Sequence, residues 1–245
     1  FTIVAMHNVE ASIFAVIIDP VYNLIGLNKV KLNPVEIEKK LGFLGEPMTL
    51  GLFLGMLIGI LGNITNLASL SAWGQIMQVG IATSAVMAIF PKVASMFSQA
   101  FAPITEAARV FMQKAGDREW YIAVNDAVGY GEPATLITGL LLIPIMLVIA
   151  MVLPGNEVLP VVDLLALPYM VQGLVAVHNG NIPKVLISGA IWFGLGLIVC
   201  TLTAPMFTEM ALSVGVAIPA GAMLITSFNI LGKPLMGLVF LSFLT

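Results

Sequence analysis

Charged residues are scarce in this chain. Only 9% of its 245 residues are Asp, Glu, Lys or Arg, whereas 59% are hydrophobic. Soluble domains carry about 25% charged residues, so the composition indicates an integral membrane protein. Alternating strand patterns are also lacking, and Gly and Ala are dispersed along long apolar runs. This pattern favours membrane-spanning helices over a β-barrel, and we predict an all-α membrane protein with several spans.

Cysteine and the motifs of common soluble enzymes are almost absent. Cys200 is the single cysteine, which excludes an intrachain disulfide and a cysteine metal cluster and suits a packed core position. The two histidines are far apart and lack a metal-ligand spacing. A phosphate-binding glycine loop and a Gly-x-Ser-x-Gly elbow are missing. We therefore expect no cofactor, no metal and no nucleic-acid partner.

Basic residues are concentrated in two stretches of the chain. Segments 28–44 and 92–118 hold eight of the ten Lys and Arg residues. Two apolar runs, 48–61 and 75–90, separate these segments, so both segments should lie on the same side of the membrane. Lys and Arg are enriched in cytoplasmic loops. We therefore predict that 28–44 and 92–118 are cytoplasmic loops, the first containing a short helix after Asn33-Pro34.

The clearest predicted span is the apolar run 136–153, which is close to the roughly 20 residues that cross a hydrocarbon core as a helix. It is preceded by WYIAVNDAVGYGEP, a Gly-rich segment with carboxylates that is not typical of a helix. Non-helical backbone at membrane depth is tolerated only beside protein or a wet cavity. We predict a re-entrant segment at 119–133. The loop 154–160, PGNEVLP, then lies on the outer side.

Two further patterns concern helix starts and helix packing. GEPMTL from Gly45 and GEPATL from Gly131 each open an apolar run, which makes an internal duplication a weak hypothesis. Gly51, Gly55 and Gly59 recur every four residues, a spacing that lets another helix approach closely. We interpret these glycines as packing residues. Pro205 to Pro219 is expected to be a short helix or hairpin.

Hydrogen-bonding groups are scattered through the interrupted apolar segments rather than gathered in one motif. A sugar or polyol would suit them, because each ligand hydroxyl both donates and accepts. An inorganic ion would favour denser carboxylates or carbonyls, and an anion would favour Arg. Neither Arg109 nor Arg118 lies in a predicted span. The candidate substrate-binding residues are His7, Glu10, Asn125, Asp126, Ser227 and Asn229.

Three stretches resemble the membrane subunit, component IIC (EIIC), of the galactitol-type phosphotransferase system in the ascorbate-galactitol superfamily. They are LGFLGEPMTLGLFLGMLIGIL from Leu41, VLPGNEVLPVVDL from Val152 and AVHNGNIPKVLISG from Ala176. The family's proteins are considerably longer, so the chain is expected to be a C-terminal portion. The resemblance implies a transport core with re-entrant hairpins, a separate dimerisation part and an elevator-like movement.

The resemblance implies a multi-pass homodimer in the bacterial inner membrane. This homodimer imports a sugar or polyol, which is galactitol or a related compound. A cytoplasmic EIIB partner with a phosphorylated cysteine phosphorylates the substrate, and EIIA and HPr supply EIIB. Asp126 falls where the superfamily has a substrate-contacting aspartate, and Asn229 where galactitol proteins have a polar residue. His7 lies near a family histidine position, with an offset of two residues.

Several roles stay open at this point. Asp126 could orient a substrate hydroxyl and accept its proton, or it could simply cap the hairpin. For Glu132 a structural role is favoured. His178 could face the EIIB partner or be a satisfied histidine at a helix end. The alternative function is an ion-coupled elevator-type secondary transporter, in which Asp126 and Glu132 would be ion or proton sites.

Overall fold

The structure is a computed structural model that describes residues 9–30, 32–113, 132–160, 163–218 and 222–243. Within these ranges every regular element is helical, which confirms the predicted all-α class. Short 3₁₀ turns occupy Leu27–Lys29, Gly42–Gly45 and Asp163–Ala166. The helices are α1 (Val9–Leu24), α2 (Pro34–Leu41), α3 (Pro47–Gly62), α4 (Leu70–Gln113), α5 (Pro133–Val152), α6 (Leu167–Met170), α7 (Gln172–Val177), α8 (Ile182–Ser213), α9 (Phe228–Leu231) and α10 (Pro234–Ser242).

Three of the described helices are long and apolar enough to cross a membrane. They are Leu70–Val93 within α4, all of α5, and α8. The predicted span 136–153 is therefore confirmed as α5, except that the helix begins at Pro133 and ends at Val152. The predicted short helix in segment 28–44 is also confirmed as α2, where Asn33 Oδ1 accepts a hydrogen bond from Glu36 N at 2.9 Å. This bond satisfies one of the amides that are free at a helix start.

The predicted loop at 92–118 is wrong over its described part, because α4 continues through Pro91 and Pro103 to Gln113. Likewise, α8 continues through Pro205 to Ser213, where we expected a separate short helix or hairpin. A proline removes one amide donor from a helix interior, and membrane helices tolerate this loss because neighbouring groups satisfy the freed carbonyl. The membrane side on which 92–113 lies stays a prediction.

Glycines join α3 and α4 into a closely packed pair. A Cβ atom on Gly55 would lie 2.6 Å from Thr83 Oγ1 and 2.7 Å from the backbone oxygen of Val79. One on Gly59 would lie 2.9 Å from the Cα atom of Ile76. The two helices therefore approach at a distance that only glycine permits, which confirms the packing interpretation of the four-residue glycine repeat.

The main core lies between α5, the short helices α6 and α7, and α8. Leu142 and Met146 from α5, Leu167 from α6 and Leu197 from α8 are fully buried there. The ring of Phe193 in α8 packs edge-on against Phe228 of α9, with centroids 6.2 Å apart. This contact brings the C-terminal interrupted segment, α9 and α10, against the middle of α8.

The predicted re-entrant segment 119–133 lies outside the described residues except for its last two positions. At that end, Glu132 caps α5: its Oε2 accepts a hydrogen bond from Thr135 N at 2.7 Å, and Pro133 occupies the first helical position. The structural role favoured for Glu132 is confirmed. In the echoed motif, Glu46 occupies the corresponding position before Pro47 and α3, without a side-chain bond to the helix.

Candidate functional site

Three of the predicted substrate-binding residues, His7, Asn125 and Asp126, lie outside the described residues. Of the other three, Ser227 and Asn229 belong to the C-terminal interrupted segment and Glu10 binds to its backbone. Glu10 Oε2 accepts a hydrogen bond from Leu235 N at 3.1 Å, at the start of α10. Ser227 and Asn229 lie at the start of α9, directly before α10. The structure thus brings residues 225 positions apart in sequence to one short stretch of backbone.

Asp163 anchors this stretch. Its Oδ2 atom accepts hydrogen bonds from Phe228 N at 2.6 Å and Asn229 N at 3.3 Å. Carboxylates are favoured at helix starts because the first amides have no partner within the helix. Asp163 therefore fixes where α9 begins. Asn229 contributes to this contact with its backbone amide and not with its side chain.

Next to Asp163 is a cavity of about 630 Å³ between the loop that follows α5, the middle of α8 and the segment before α9. No Lys, Arg or His is among the described residues that line it. Its polar lining consists of Glu157, Asp163, Thr201 and Thr226, and its remaining lining of Val158, Leu159, Pro160, Ala204, Met223, Leu224, Ile225 and Phe228.

The loop at the cavity is held in shape by Asn156. Its Nδ2 atom donates to the backbone oxygens of Ala150 and Val158, both at 2.8 Å. Its Oδ1 atom accepts from Thr201 Oγ1 at 3.2 Å, and Thr201 Oγ1 accepts from Glu157 N at 3.0 Å. An amide has two donors and two acceptor sites, and Asn156 uses both kinds here. Glu157 is therefore carried by a braced loop.

Two threonines connect the segment before α9 to α8. Thr208 Oγ1 of α8 accepts a hydrogen bond from Ile225 N at 2.9 Å, which ties this segment to α8. The Thr226 hydroxyl is shielded from solvent and interacts with the buried thiol of Cys200. Both hydroxyls therefore hold the segment in place rather than facing the cavity.

A second polar cluster joins α1 to the start of α8. His178 Nδ1 lies 3.0 Å from Asp19 Oδ1, and His178 Nε2 lies 2.8 Å from Ser188 Oγ. Ser188 Oγ also lies 2.9 Å from the Tyr22 hydroxyl. Lys184 Nζ donates to Asp19 Oδ1 at 2.8 Å. The side chains of the cluster are mostly buried, and Asp19 is the one that reaches solvent most.

The protonation states of this cluster follow from its surroundings, and Asp19 and His178 lie outside the three candidate spans. Burial lowers the pKa of His178, although its bond to Asp19 opposes the change. Burial alone would raise the pKa of Asp19, but hydrogen bonds from Lys184 and His178 outweigh it and lower that pKa. A neutral His178 then donates from Nδ1 to Asp19 and accepts at Nε2 from Ser188.

Two roles were left open for His178, facing a partner protein or being a satisfied histidine at a helix end, and the structure places its ring inside the protein. Its side chain is 0% exposed, and both ring nitrogens are hydrogen-bonded. It therefore has the other role considered for it, that of a satisfied histidine at a helix end. Cys200 is likewise fully buried, in agreement with the predicted core position.

Comparison with known proteins decides the family. The family model EIIC-GAT, described as "PTS system sugar-specific permease component", matches residues 2–221. The chain belongs to this family. A galactitol-specific EIIC component of Escherichia coli K12 is 35% identical over 223 residues, which are 90% of this chain and 48% of the relative. A protein of the same strain described as a permease IIC component is 38% identical over 202 residues, 82% of this chain and 45% of the relative.

This EIIC chain thus spans about half the length of the curated relatives that it matches. The galactitol-specific EIIC component of Escherichia coli O157:H7 gives the same identity and coverage as that of strain K12. No solved structure matches the chain.

Sequence reasoning missed Asp163 and Thr201 as lining residues of this EIIC chain. Asp163 entered the sequence analysis only as part of the string VLPGNEVLPVVDL, and Thr201 lies in a long apolar run without a recognisable motif. The available signal was the string PGNEVLPVVDL, in which two carboxylates, Glu157 and Asp163, flank a short apolar stretch. A carboxylate inside a membrane segment usually has a partner, and Asp163 could have been selected on that ground.

Proposed function

We propose that this chain belongs to a membrane subunit that imports a sugar or polyol, galactitol or a related hexitol, through the bacterial inner membrane. The observation that carries the proposal is the family match over residues 2–221, which covers most of the chain. The relatives named as galactitol-specific support galactitol or a related polyol as the substrate. The polar groups that line the described cavity are carboxylates and hydroxyls, which suit a ligand with many hydroxyls.

In this function the substrate is phosphorylated as it is delivered. A cytoplasmic EIIB partner, charged through HPr and EIIA, would donate the phosphoryl group from its phosphocysteine. The chain's own contribution would be to hold the substrate and orient the hydroxyl that attacks phosphorus, and Asp126 is the residue proposed for this role. Positioning of this kind accounts for much of the catalysis in phosphoryl transfer.

The proposed architecture is an elevator-type core with re-entrant hairpins, one of them at 119–133, and a separate part that forms a homodimer in the lipid bilayer. Many large apolar side chains of α3 and α4 are exposed, among them Phe53 and Ile81. Apolar surface of this kind is stable against lipid or against another apolar helix, which supports a membrane-embedded position for this helix pair.

The test is uptake of radiolabelled galactitol by membrane vesicles that contain the whole protein. Uptake should require phosphoenolpyruvate and the soluble phosphotransferase proteins, and the labelled product inside should be a hexitol phosphate. A parallel experiment replaces phosphoenolpyruvate with a proton or sodium gradient. Accumulation of unmodified galactitol under that gradient would replace the proposal with an ion-coupled transporter.

A further inference from the structure

The cavity beside Asp163 has the size of a ligand site. Its volume of about 630 Å³ falls within the range of roughly 300–1,000 Å³ that is typical of small-molecule pockets. Its lining is mostly apolar with a few polar groups, which is also typical of such pockets. The cavity is therefore large enough for a hexitol.

The charge of the lining restricts the ligand. Glu157 and Asp163 each contribute a carboxylate, and no basic side chain is among the described lining residues. Asp163 Oδ2 is bonded to the amides of α9, whereas no described residue bonds to its Oδ1 atom or to the carboxylate of Glu157. An anionic ligand would meet two negative groups without compensation, and such like-charge contacts are strongly unfavourable.

The same lining suits a neutral ligand with many hydroxyls. Carboxylate oxygens accept hydrogen bonds, so Glu157 and the Oδ1 atom of Asp163 can each accept from a ligand hydroxyl. Thr201 Oγ1 accepts from Glu157 N and has a second acceptor site. A polyol supplies the matching donors without introducing charge.

The position along α8 places this cavity away from the predicted cytoplasmic side. Thr201 lies 19 residues after Ile182, which is about 28 Å at the helical rise of 1.5 Å per residue. That distance is close to the thickness of the hydrocarbon core, about 30 Å. If α8 begins on the cytoplasmic side, as predicted for the turn at His178, the cavity lies near the outer surface.

We infer that this cavity is an outer-side binding site for the neutral polyol substrate, and that Glu157 and Asp163 make it reject anionic analogues. The inference rests on the proposed import function and adds a second, outer site to the predicted hairpin site at Asn125 and Asp126. Glu157 and Asp163 are thereby specificity-determining residues.

The test is equilibrium binding to the purified whole protein with two ligands that differ in charge, radiolabelled galactitol and galactonate. Galactitol should bind at least about tenfold more tightly than galactonate, because the latter carries a carboxylate. Glu157→Gln and Asp163→Asn should each reduce this preference about threefold or more by removing a negative charge. Glu209→Gln, at an exposed acidic position on α8, should leave it unchanged.

Asp163→Asn could also disturb the start of α9, so each variant is first compared with wild type by thermal unfolding in detergent. Glu157 is exposed, and no described residue bonds to its carboxylate. Glu157→Gln therefore carries the test if Asp163→Asn unfolds.

The outcomes separate this site from the import function. Equal binding of galactitol and galactonate, or an unchanged preference in Glu157→Gln, would overturn the site while phosphoenolpyruvate-dependent uptake still supported the import function. Failure of that uptake in the wild-type protein would overturn the import function, whatever the cavity binds.

Discussion

The hydroxyl oxygen of Ser188 lies 2.8 Å from Nε2 of the buried His178, ten residues earlier in the chain. This contact holds the turn before α8 against the first part of that helix. The same oxygen lies 2.9 Å from the Tyr22 hydroxyl, so one serine links α1, the turn and α8. Because the atoms are shielded from water, losing this one oxygen leaves two buried polar groups without a partner.

Replacing Ser188 with alanine should therefore destabilise the protein. We expect the free energy of unfolding to fall by about 2–4 kcal/mol, because each abandoned buried polar group is unfavourable by about 1–3 kcal/mol. Thermal unfolding in detergent measures the change. The matched control is Ser213→Ala at the exposed end of α8, which should change stability by less than about 0.5 kcal/mol. Equal effects of the two substitutions would contradict the assigned role.

The same cluster predicts a pH dependence. The pKa of His178 in the folded protein is lowered, so folding favours the neutral ring. The neutral ring makes its full contribution to the free energy of unfolding above about pH 6.5, the ordinary pKa of histidine. This contribution is lost as the pH falls through the lower pKa that His178 has in the folded protein. The lowered pKa of Asp19 gives a loss in the same direction at still lower pH.

The unfolding temperature of the wild-type protein should fall as the pH is lowered from about 8 to about 5. That of His178→Gln should fall less over the same range. Lys184 is the other charged group that faces this cluster, and its ammonium disfavours a charged His178. A wild-type profile that rises on acidification would refute the assignment of a neutral ring.

Gly196 and Gly194 make a matched pair for the contact between α8 and α9. A Cβ atom on Gly196 would collide with the backbone oxygen of Gly232, whereas one on Gly194 would lie 3.8 Å from Ile149 Cγ2, an ordinary contact. Gly196→Ala should lower the free energy of unfolding by about 1–3 kcal/mol through overpacking. Gly194→Ala should be neutral or raise it by up to about 1 kcal/mol, because alanine favours helix. If both substitutions raise the free energy of unfolding, the close approach of Gly232 to α8 is not present.

Asn156→Ala tests the brace of the cavity loop. The substitution removes the hydrogen bonds to Ala150, Val158 and Thr201, so Glu157 loses its fixed position. The KM for galactitol uptake should rise about tenfold, which corresponds to 1.4 kcal/mol of lost binding, with a smaller change in kcat. Asn66→Ala, at an exposed position between α3 and α4, is the control. A fall in kcat at constant KM would mean that the loop acts in a later step.

The helix starts could be predicted from sequence where the chain supplies its own cap. Glu132 before Pro133 is an example, because the side chain that satisfies the first amides lies three residues from them. The helix ends predicted at Pro91 and Pro205 were wrong for a physical reason. Whether a proline interrupts a helix depends on whether neighbouring helices satisfy the freed carbonyl, and that is a property of the packed protein rather than of the local string.

The candidate site was predictable only in its chemical character. Broken apolar segments with carboxylates and hydroxyls could be recognised, and Ser227 and Asn229 do lie beside the anchoring Asp163. Neither the partner of Asp163 nor that of Glu10 could be found, because each carboxylate binds the amides of a helix far along the chain. Pairings between residues so far apart cannot be predicted from the local sequence.

The unbroken course of α8 between Ser188 and Thr201 has a mechanical consequence. Thirteen residues of helix place these side chains about 20 Å apart along a stiff rod. One of them is fastened to α1 through the Tyr22 hydroxyl, and the other borders the cavity. A tilt of α8 that moves Ser188 must therefore also move Thr201, so the polar cluster at His178 is mechanically coupled to the cavity.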